Sequence, residues 1–136
     1  MTEPADELGG YNRWLGIEVL EASGDRVVAA IDLRPDHHQP YGIVHGGVHS
    51  SVVETVASIA GAYWYGDRGK VVGVSNHTDF LRAVREGRLT ATATPIHRGR
   101  LQQLWAVEVK DADDRLVARG QVRLQNIGAD HLTHRG

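Results

Sequence analysis

The chain has 136 residues, 41% hydrophobic and 24% charged, which is enough for one domain with its own core and excludes an intrinsically disordered protein. A formal net charge of -2 excludes a general electrostatic attraction to nucleic acid or to an anionic membrane surface. There is no cysteine, so a thiol nucleophile and disulfide bonds are excluded as well. The amino-terminal MTEPADELGG is acidic and lacks the order of a secretion signal, which predicts a cytoplasmic protein.

The first part of the chain has the pattern of a β-hairpin. The segments GIEVLEA and DRVVAAIDL are separated by the turn-forming pair Ser23-Gly24. In the second segment the apolar side chains recur at every other position, as in a strand with one buried face. The segment RPDHHQPYGI that follows holds two prolines, which predicts a loop.

A helix is predicted from Gly46 or Gly47 to about Trp64, because this stretch lacks proline, is too long for a strand and is followed by a Gly-Asp stop signal. Nine of the 17 residues from Gly46 to Ala62 are Gly, Ala or Ser, and the larger apolar residues lie all round the helix. Such a helix should be enclosed, and its small side chains let a sheet curl closely about it.

Four further extended segments follow the helix: KVVGVSNHTDFL, GRLTATATPIH, LQQLWAVEVKD and RLVARGQVRLQNI. The segments at 85–87, 97–99 and 111–114 between them have the length of hairpin turns, so we expect an antiparallel meander. The patterns together predict an α+β protein with one long central helix wrapped by a curved antiparallel sheet of about five to six strands. Because such a wrap leaves sheet edges uncovered, we expect a second copy to pair with the first.

The stretch QPYGIVHGGVHSSVVETVASIAGAYW, residues 39–64, holds one carboxylate, Glu54, among small and apolar residues. Partial removal from water makes a carboxylate a stronger base, provided that a hydrogen bond satisfies the buried group. Ser58 lies one helical turn away and could supply that hydrogen bond. The alternative is a glutamate satisfied by a backbone group or by an arginine at a subunit interface. The central carboxylate also argues against a membrane-spanning helix. The residues expected beside Glu54 on one helix face form a small, hydroxyl-lined strip: Gly47, Ser50, Ser51, Ser58 and Gly61.

The sequence His45-Gly46-Gly47 stands at the predicted start of this helix. Free backbone N–H groups and the positive end of the helix dipole collect there, so a polarised carbonyl oxygen can be held, and the Gly46 N–H is the best candidate donor. The alternative is that the glycines only make a tight turn into the helix. His45 and His49 have the spacing of metal ligands on a helix, but Glu54 is not placed as in His-Glu-x-x-His, and we predict no metal site.

Basic residues are concentrated in two segments, FLRAVREGR and HRGRLQQ. The first carries Arg82, Arg85 and Arg88, and the second carries Arg98 and Arg100. We expect both groups at neighbouring strand ends, where guanidinium groups could bind phosphates through two hydrogen bonds each. The alternative is that they are solvated charges of surface turns.

Three segments together resemble the hotdog-fold acyl-CoA thioesterases of the PaaI type: residues 39–64, KVVGVSNHTDFLRAVREGRL, and PIHRGRLQQLWAVEVKDADDRLVARGQVRL. The spacing Q-P-x-G-x-x-H-G-G, the glutamate nine residues after the histidine, and the later H-x-G-R carry the resemblance. It implies a single hotdog thioesterase domain over residues 1–136 that forms homodimers and commonly homotetramers of two dimers, without a metal or redox cofactor. We expect roughly ten residues at the amino end and roughly nine at the carboxyl end to be flexible.

In this family the resemblance implies a role for each matching position. Glu54 would attack the thioester carbon or activate water, and the Gly46 N–H would bind the thioester oxygen. Gln39 and His45 would lie near the carbonyl and the thiolate, and Ser58 would hold the glutamate or the water. Glu54 and Ser58 of one subunit would face the glutamine, histidine and glycine of the other. The positions matching the coenzyme A contacts are Gly73, Phe80, Leu81, Arg82, Ala83, His97, Arg98, Gly99 and Arg100.

The sequence thus predicts an acyl-CoA thioesterase, with two alternatives. A hotdog hydratase or dehydratase would share the scaffold but needs a His-Asp pairing that we do not find. A noncatalytic acyl-CoA-binding or regulatory protein is the other alternative. The acyl group, aromatic or aliphatic, stays open, with four candidate side chains for its pocket: Tyr41, Tyr63, Trp64 and Val71.

Overall fold

The computed structural model of the protein describes residues 8–129. Most of the two terminal segments expected to be flexible lies outside these residues, although Gly9 and Gly10 begin a helix. No helix of the described part is long and apolar enough to cross a membrane. The helices and strands are, in chain order, α1 (Gly9–Leu15), β1 (Glu18–Ala22), β2 (Val27–Asp32), α2 (Gly46–Tyr65), β3 (Gly69–Phe80), β4 (Arg88–Arg98), β5 (Gln102–Lys110) and β6 (Leu116–Gly128).

The predicted architecture is confirmed: one long helix lies against a single antiparallel sheet of six strands. The sheet has the order β1-β2-β4-β5-β6-β3, and α2 contacts all six strands. The helix begins at Gly46 and ends at Tyr65, within one residue of the predicted end. The hotdog fold implied by the sequence resemblance is therefore the fold of this chain.

The prediction of a meander through all four later strands is wrong for β3. Strands β4, β5 and β6 do follow one another as hairpins, but β3 pairs with β6 at the far edge of the sheet. Strand β4 cannot also take β3 as a neighbour, because β2 and β5 occupy its two edges. Residues 81–87 therefore form a crossing connection and not a hairpin turn.

The core lies between α2 and the concave face of the sheet. The alternation in β5 places Trp105, Val107 and Val109 inside, each at most 1% exposed, and they pack with buried valines of α2. Burying a side chain of this size stabilises the fold by roughly 1.5–3 kcal/mol. Gly61 also faces this core, since an added Cβ would lie 2.2 Å from Leu124 Cδ1. It therefore does not belong to the exposed strip beside Glu54, contrary to the sequence prediction.

Helix α1 was not predicted from the sequence. It is only seven residues long, starts with two glycines and ends at Gly16, which takes the left-handed conformation at φ 86°. Two side-chain hydrogen bonds hold it on α2: Tyr11 Oη pairs with Ser51 Oγ at 2.7 Å, and Thr55 Oγ1 donates to Asn12 Oδ1 at 2.9 Å. A helix this short is marginal by itself, so the contacts with α2 decide that it forms.

Candidate active site

Glu54 lies in the middle of α2, on the side that faces β3. Asn76 of β3 donates from Nδ2 to Glu54 Oε1 at 3.4 Å and to the Ser50 carbonyl at 3.0 Å. Two sequence predictions need correction: the Glu54 side chain is exposed in the single chain, and no hydrogen bond joins it to Ser58 within residues 8–129. Asn76 could not be identified from the sequence, because its contact with Glu54 depends on how β3 lies against α2.

Gly73 of β3 lies directly beside this carboxylate. A Cβ added at Gly73 would be 4.0 Å from both Glu54 Cδ and Glu54 Oε2. The register of β3 against β6 also shifts between Gly73 and Ser75, so the regular pairing is interrupted beside Gly73. The sequence-predicted contact position Gly73 is thus part of the surroundings of Glu54, with no side chain between the strand and the carboxylate.

A cavity of about 530 Å³ opens next to Glu54. Of the four side chains predicted for an acyl pocket, Val71 lines it and the other three do not; Tyr41 is 84% exposed in a distant loop. Asn12 of α1 closes one side, which sequence reasoning missed together with α1 itself. The cavity is lined by Leu8, Asn12, Glu54, Thr55, Ser58, Ile59, Ala62, Gly66, Gly69, Lys70 and Val71.

The amino end of α2 is fixed by backbone and side-chain hydrogen bonds. His45 caps the helix, because its Nδ1 accepts the Gly47 N–H at 2.7 Å. The His45 N–H donates to the His37 carbonyl at 2.9 Å, and the neighbouring Val44 N–H donates to the Val84 carbonyl at 2.8 Å. Gly46, the first helical residue, has no hydrogen bond from its N–H to the rest of the described chain.

A second cavity, of about 310 Å³, adjoins this helix end. It brings together Gln39, Gly46 and the segment 80–83, which the sequence predicted as separate parts of one site. Phe80 packs so closely on Gly46 that an added Cβ would lie 2.4 Å from its ring. His49, which the sequence assigned no role, is a further lining residue. The complete lining is Gln39, Ile43, Val44, Gly46, His49, Phe80, Leu81, Arg82, Ala83 and Val84.

The two cavities are separate in one chain. Glu54 follows Gly46 by eight positions, so the carboxylate and the free N–H are about 12 Å apart along the helix axis. A thioester carbonyl bound to Gly46 is therefore out of reach of Glu54 of the same chain.

The predicted basic segment at the β4–β5 turn adjoins a third cavity, of about 450 Å³. Asn126 holds this turn in place by donating from Nδ2 to the carbonyls of Gly99 at 3.0 Å and Arg100 at 3.2 Å. Arg98 points elsewhere, with Nη1 at 2.7 Å from both Asp25 Oδ1 and the Gly24 carbonyl. The cavity is lined by His97, Gly99, Arg100, Leu101, Gln102, Arg123 and Gln125.

Contrary to the prediction from the sequence, the two groups of arginines do not lie at neighbouring strand ends. Arg88 and Arg98 stand at the two ends of β4, about 33 Å apart for an extended strand of this length. Arg88 is paired with both Glu18 and Asp32, and Arg85 donates to the Gly42 carbonyl. Arg82 and Arg100 are left without an ion pair or a side-chain hydrogen bond to the described residues.

The outer edge of β3 has no neighbouring strand among residues 8–129. This strand is 12 residues long and ends the sheet on the side where Glu54 lies. Val72 and Val74 in its middle are 41% and 51% exposed. A long, exposed, apolar edge strand is a template for pairing with another strand. Within residues 8–129, no group of three or more His, Asp or Glu side chains is arranged to hold a metal ion.

Comparison with known proteins gives a consistent result. Residues 41–118 match the family model of the thioesterase superfamily. The crystal structure of AziG from S. sahachiroi is similar at a TM-score of 0.88 and 56% identity, over 89% of this chain and 98% of that chain. The structure of Rv1847/MT1895 from Mycobacterium tuberculosis is similar at a TM-score of 0.86 and 48% identity, over 88% of this chain and 97% of that chain. The 1,4-dihydroxy-2-naphthoyl-CoA hydrolase of Escherichia coli (strain K12) is 30% identical in an alignment of 123 positions that covers 78% of this chain and 90% of the relative.

Proposed function

Since this chain belongs to the thioesterase superfamily and is a thioester hydrolase, we propose that it is a PaaI-type enzyme that hydrolyses an acyl- or aryl-CoA to the free acid and coenzyme A, with Glu54 as the catalytic carboxylate. Its relative in Escherichia coli is named a hydrolase of an aromatic acyl-CoA, and this supports the CoA thioester as the substrate class.

One observation carries the proposal: the free Gly46 N–H and the Glu54 carboxylate lie about 12 Å apart on one helix, beside an unpaired sheet edge. Pairing of β3 with β3 of a second copy would bring the two helices alongside each other. Glu54 of one copy would then approach Gly46 of the other, and the exposed carboxylate would become partly desolvated. The active site is therefore formed by a homodimer, and two dimers assemble into a homotetramer.

The reaction proceeds by attack on the thioester carbonyl carbon. The Gly46 N–H and the helix dipole stabilise the negative charge that forms on the carbonyl oxygen. Glu54 either takes a proton from the attacking water or attacks the carbon itself to form an anhydride that water then opens. The carbon–sulfur bond breaks, and the thiolate leaves and takes up a proton. Both routes consume one water and release the acid and the free thiol.

Further side chains assist these steps. His45 holds its Nδ1 in the helix cap, so its other ring nitrogen faces the leaving thiolate. Gln39 lines the cavity beside Gly46 and orients the carbonyl, and Ser58 lines the cavity of Glu54, where it holds the water. Asn76 keeps the carboxylate directed along α2 through its hydrogen bond.

Different parts of the substrate bind in different cavities. The acyl group occupies the 530 Å³ cavity next to Glu54, which has room for an aromatic ring or a medium aliphatic chain. The pantetheine arm lies in the 310 Å³ cavity along residues 80–83. Arg82 and Arg100, whose guanidinium groups have no partner among residues 8–129, bind phosphates, and the 97–100 turn contacts the nucleotide. Arg98 helps indirectly, by holding that turn against Asp25.

Complementation between two inactive variants tests the shared site. Glu54→Gln removes the carboxylate, and Gly46→Pro removes the N–H at a helix position where proline is tolerated. If the two copies are mixed after unfolding and refolded together, half of the dimers are heterodimers with one intact site, which restores about a quarter of the wild-type activity. A panel of aromatic and aliphatic acyl-CoAs, with release of free thiol as the readout, supplies the assay. Heterodimers that form, as seen with two different affinity tags, and yet stay inactive would contradict the proposal.

A further inference from the structure

The cavity at the amino end of α2 contains a buried polar side chain that none of the roles above uses. His49 is 4% exposed, and its Nδ1 atom is enclosed without a hydrogen-bond partner among residues 8–129. Its ring lies against Phe80, with 6.0 Å between centroids and 32° between the ring planes. Buried polar atoms nearly always have a partner in a folded protein, so an orphaned imidazole at a cavity needs an explanation.

The charge state of His49 follows from its burial. Desolvation lowers the pKa of this imidazole below its ordinary value, so the ring is neutral at pH 7. A neutral imidazole carries one N–H and one lone pair. An enclosed N–H without a partner is rarer and costlier than an enclosed lone pair, which assigns the proton to Nε2. Nε2 is also the ring nitrogen that a ligand in the cavity can reach, so His49 offers the cavity one uncharged donor.

The walls of the cavity decide what such a donor recognises. Ile43, Val44, Phe80 and Leu81 make most of the lining apolar, and Arg82 is the only charged residue in it. A phosphate would pair with the guanidinium of Arg82, whereas a neutral N–H in apolar surroundings suits an uncharged carbonyl oxygen. His49 therefore fits an amide or ester carbonyl better than an anion.

The helix geometry places this donor next to the Gly46 N–H. Residues three positions apart lie on the same face of a helix, and helical side chains lean towards the amino end. With the thioester oxygen on the Gly46 N–H, the thiol arm of the substrate continues into the cavity over Phe80. The first polar group that this arm presents beyond the sulfur is an amide, joined to the sulfur by a two-carbon link.

We propose that His49 is a substrate-positioning residue, which donates a hydrogen bond from Nε2 to the amide carbonyl oxygen nearest the sulfur of the pantetheine arm. The assignment deepens the proposed function and rests on it, because the thioester must be bound at Gly46 for this amide to meet His49. Together the two donors fix the thioester from both sides of its sulfur.

Two nearly isosteric variants separate hydrogen bonding from packing. His49→Gln keeps an N–H donor at about the same reach, and His49→Met fills the same space without one. Each is assayed with one acyl group on three thiols: coenzyme A, N-acetylcysteamine, which keeps the amide, and a plain alkanethiol, which lacks it. For His49→Met we expect kcat/KM to fall roughly five- to tenfold on the two amide-bearing substrates and to stay unchanged on the third. His49→Gln should retain most of the wild-type value on all three.

Equal behaviour of the two variants would overturn the proposal in favour of a packing role, and an equal loss on all three thiols would overturn the amide as the acceptor. The dissociation constant of coenzyme A itself, measured by calorimetry, gives a readout without turnover, and His49→Met should raise it by a similar factor. If the wild type binds coenzyme A but hydrolyses no thioester, the proposed function fails while this comparison still decides the role of His49. The thermal midpoints of both variants establish that they are folded.

Discussion

The two halves of α2 differ in how many of their contacts are already formed within a single chain. At the amino end, the His45 cap, the Phe80 ring packed on Gly46 and the buried His49 are held by contacts within the chain. In the middle of the helix, Glu54 is exposed and has one long hydrogen bond, from Asn76. The half proposed to bind the thioester oxygen is preorganised by the chain itself, whereas the half that carries the carboxylate is not.

In the proposed mechanism, this difference explains where the reactivity of Glu54 comes from. A carboxylate in contact with bulk water is a weak base, and desolvation strengthens it. One chain does not supply that desolvation, but a second copy on the open edge of β3 would. In the proposed mechanism, Glu54 therefore stays solvated until two chains pair.

The largest expected effect comes from removing the carboxylate in the incomplete half. Glu54→Gln keeps the size and the Asn76 contact but can neither accept a proton nor attack, so kcat should fall by a factor of roughly a hundred to ten thousand. Steady-state hydrolysis of the best acyl-CoA of the panel measures it. The thermal midpoint of the variant establishes that it is folded.

Glu108→Gln is the matched control, because Glu108 is an exposed glutamate on the opposite face of the sheet. It should leave both kcat and stability unchanged. Normal turnover by a folded Glu54→Gln protein would remove Glu54 from the mechanism.

A second experiment probes the preorganised half, by comparing Gly46→Ala with Gly46→Pro. Both add a Cβ that meets the Phe80 ring, but only proline removes the N–H. His45 is already extended at φ -66° and ψ 135°, which suits a residue before proline. We expect Gly46→Pro to have a kcat about a hundred- to a thousandfold below that of Gly46→Ala, the usual effect of losing one oxyanion donor.

The alanine variant serves as the steric control in this pair, and its own loss, from displacement of Phe80, should appear mainly in KM. Should both substitutions reduce kcat to the same extent, the N–H would have no part in catalysis and the helix end would serve only to shape the cavity.

The smallest effect concerns pH and stability at His49. Burial lowers the pKa of His49 in the folded protein, so the unfolded chain binds more protons below about pH 6.5. The free energy of unfolding therefore falls as the pH drops through that value, until the folded pKa is reached. One group contributes a slope of at most about 1.4 kcal/mol per pH unit.

Urea unfolding of the wild type and of His49→Met between about pH 7.5 and pH 5 measures this slope. The variant should show the shallower dependence, because it lacks His49. Some dependence remains in both proteins, because the pKa of His37 is likewise lowered, chiefly by burial. Identical slopes would mean that His49 is not held neutral by the fold.

Most of the elements followed from local patterns. The small-residue composition of α2 and the alternation in β5 are local patterns. They can be recognised in the sequence without knowing which elements pack against them. Helix α1 and the position of β3 did not follow, because a seven-residue helix depends on Asn12 and Tyr11 meeting α2, and strand order is a non-local choice. The candidates Gly46 and Glu54 came from local patterns and Gln39 from the family resemblance, whereas Asn76 and His49 have meaning only in the packed structure.

The sequence by itself determined the central helix, the number of long strands after it and the single carboxylate on its small-residue face, because periodicity and composition act over a few residues. Only the tertiary structure decided that β3 closes the sheet at its far edge, that Asn76 meets Glu54, and that His49 is buried against Phe80. These outcomes depend on which surfaces pack against each other, and packing joins residues that are far apart in the sequence.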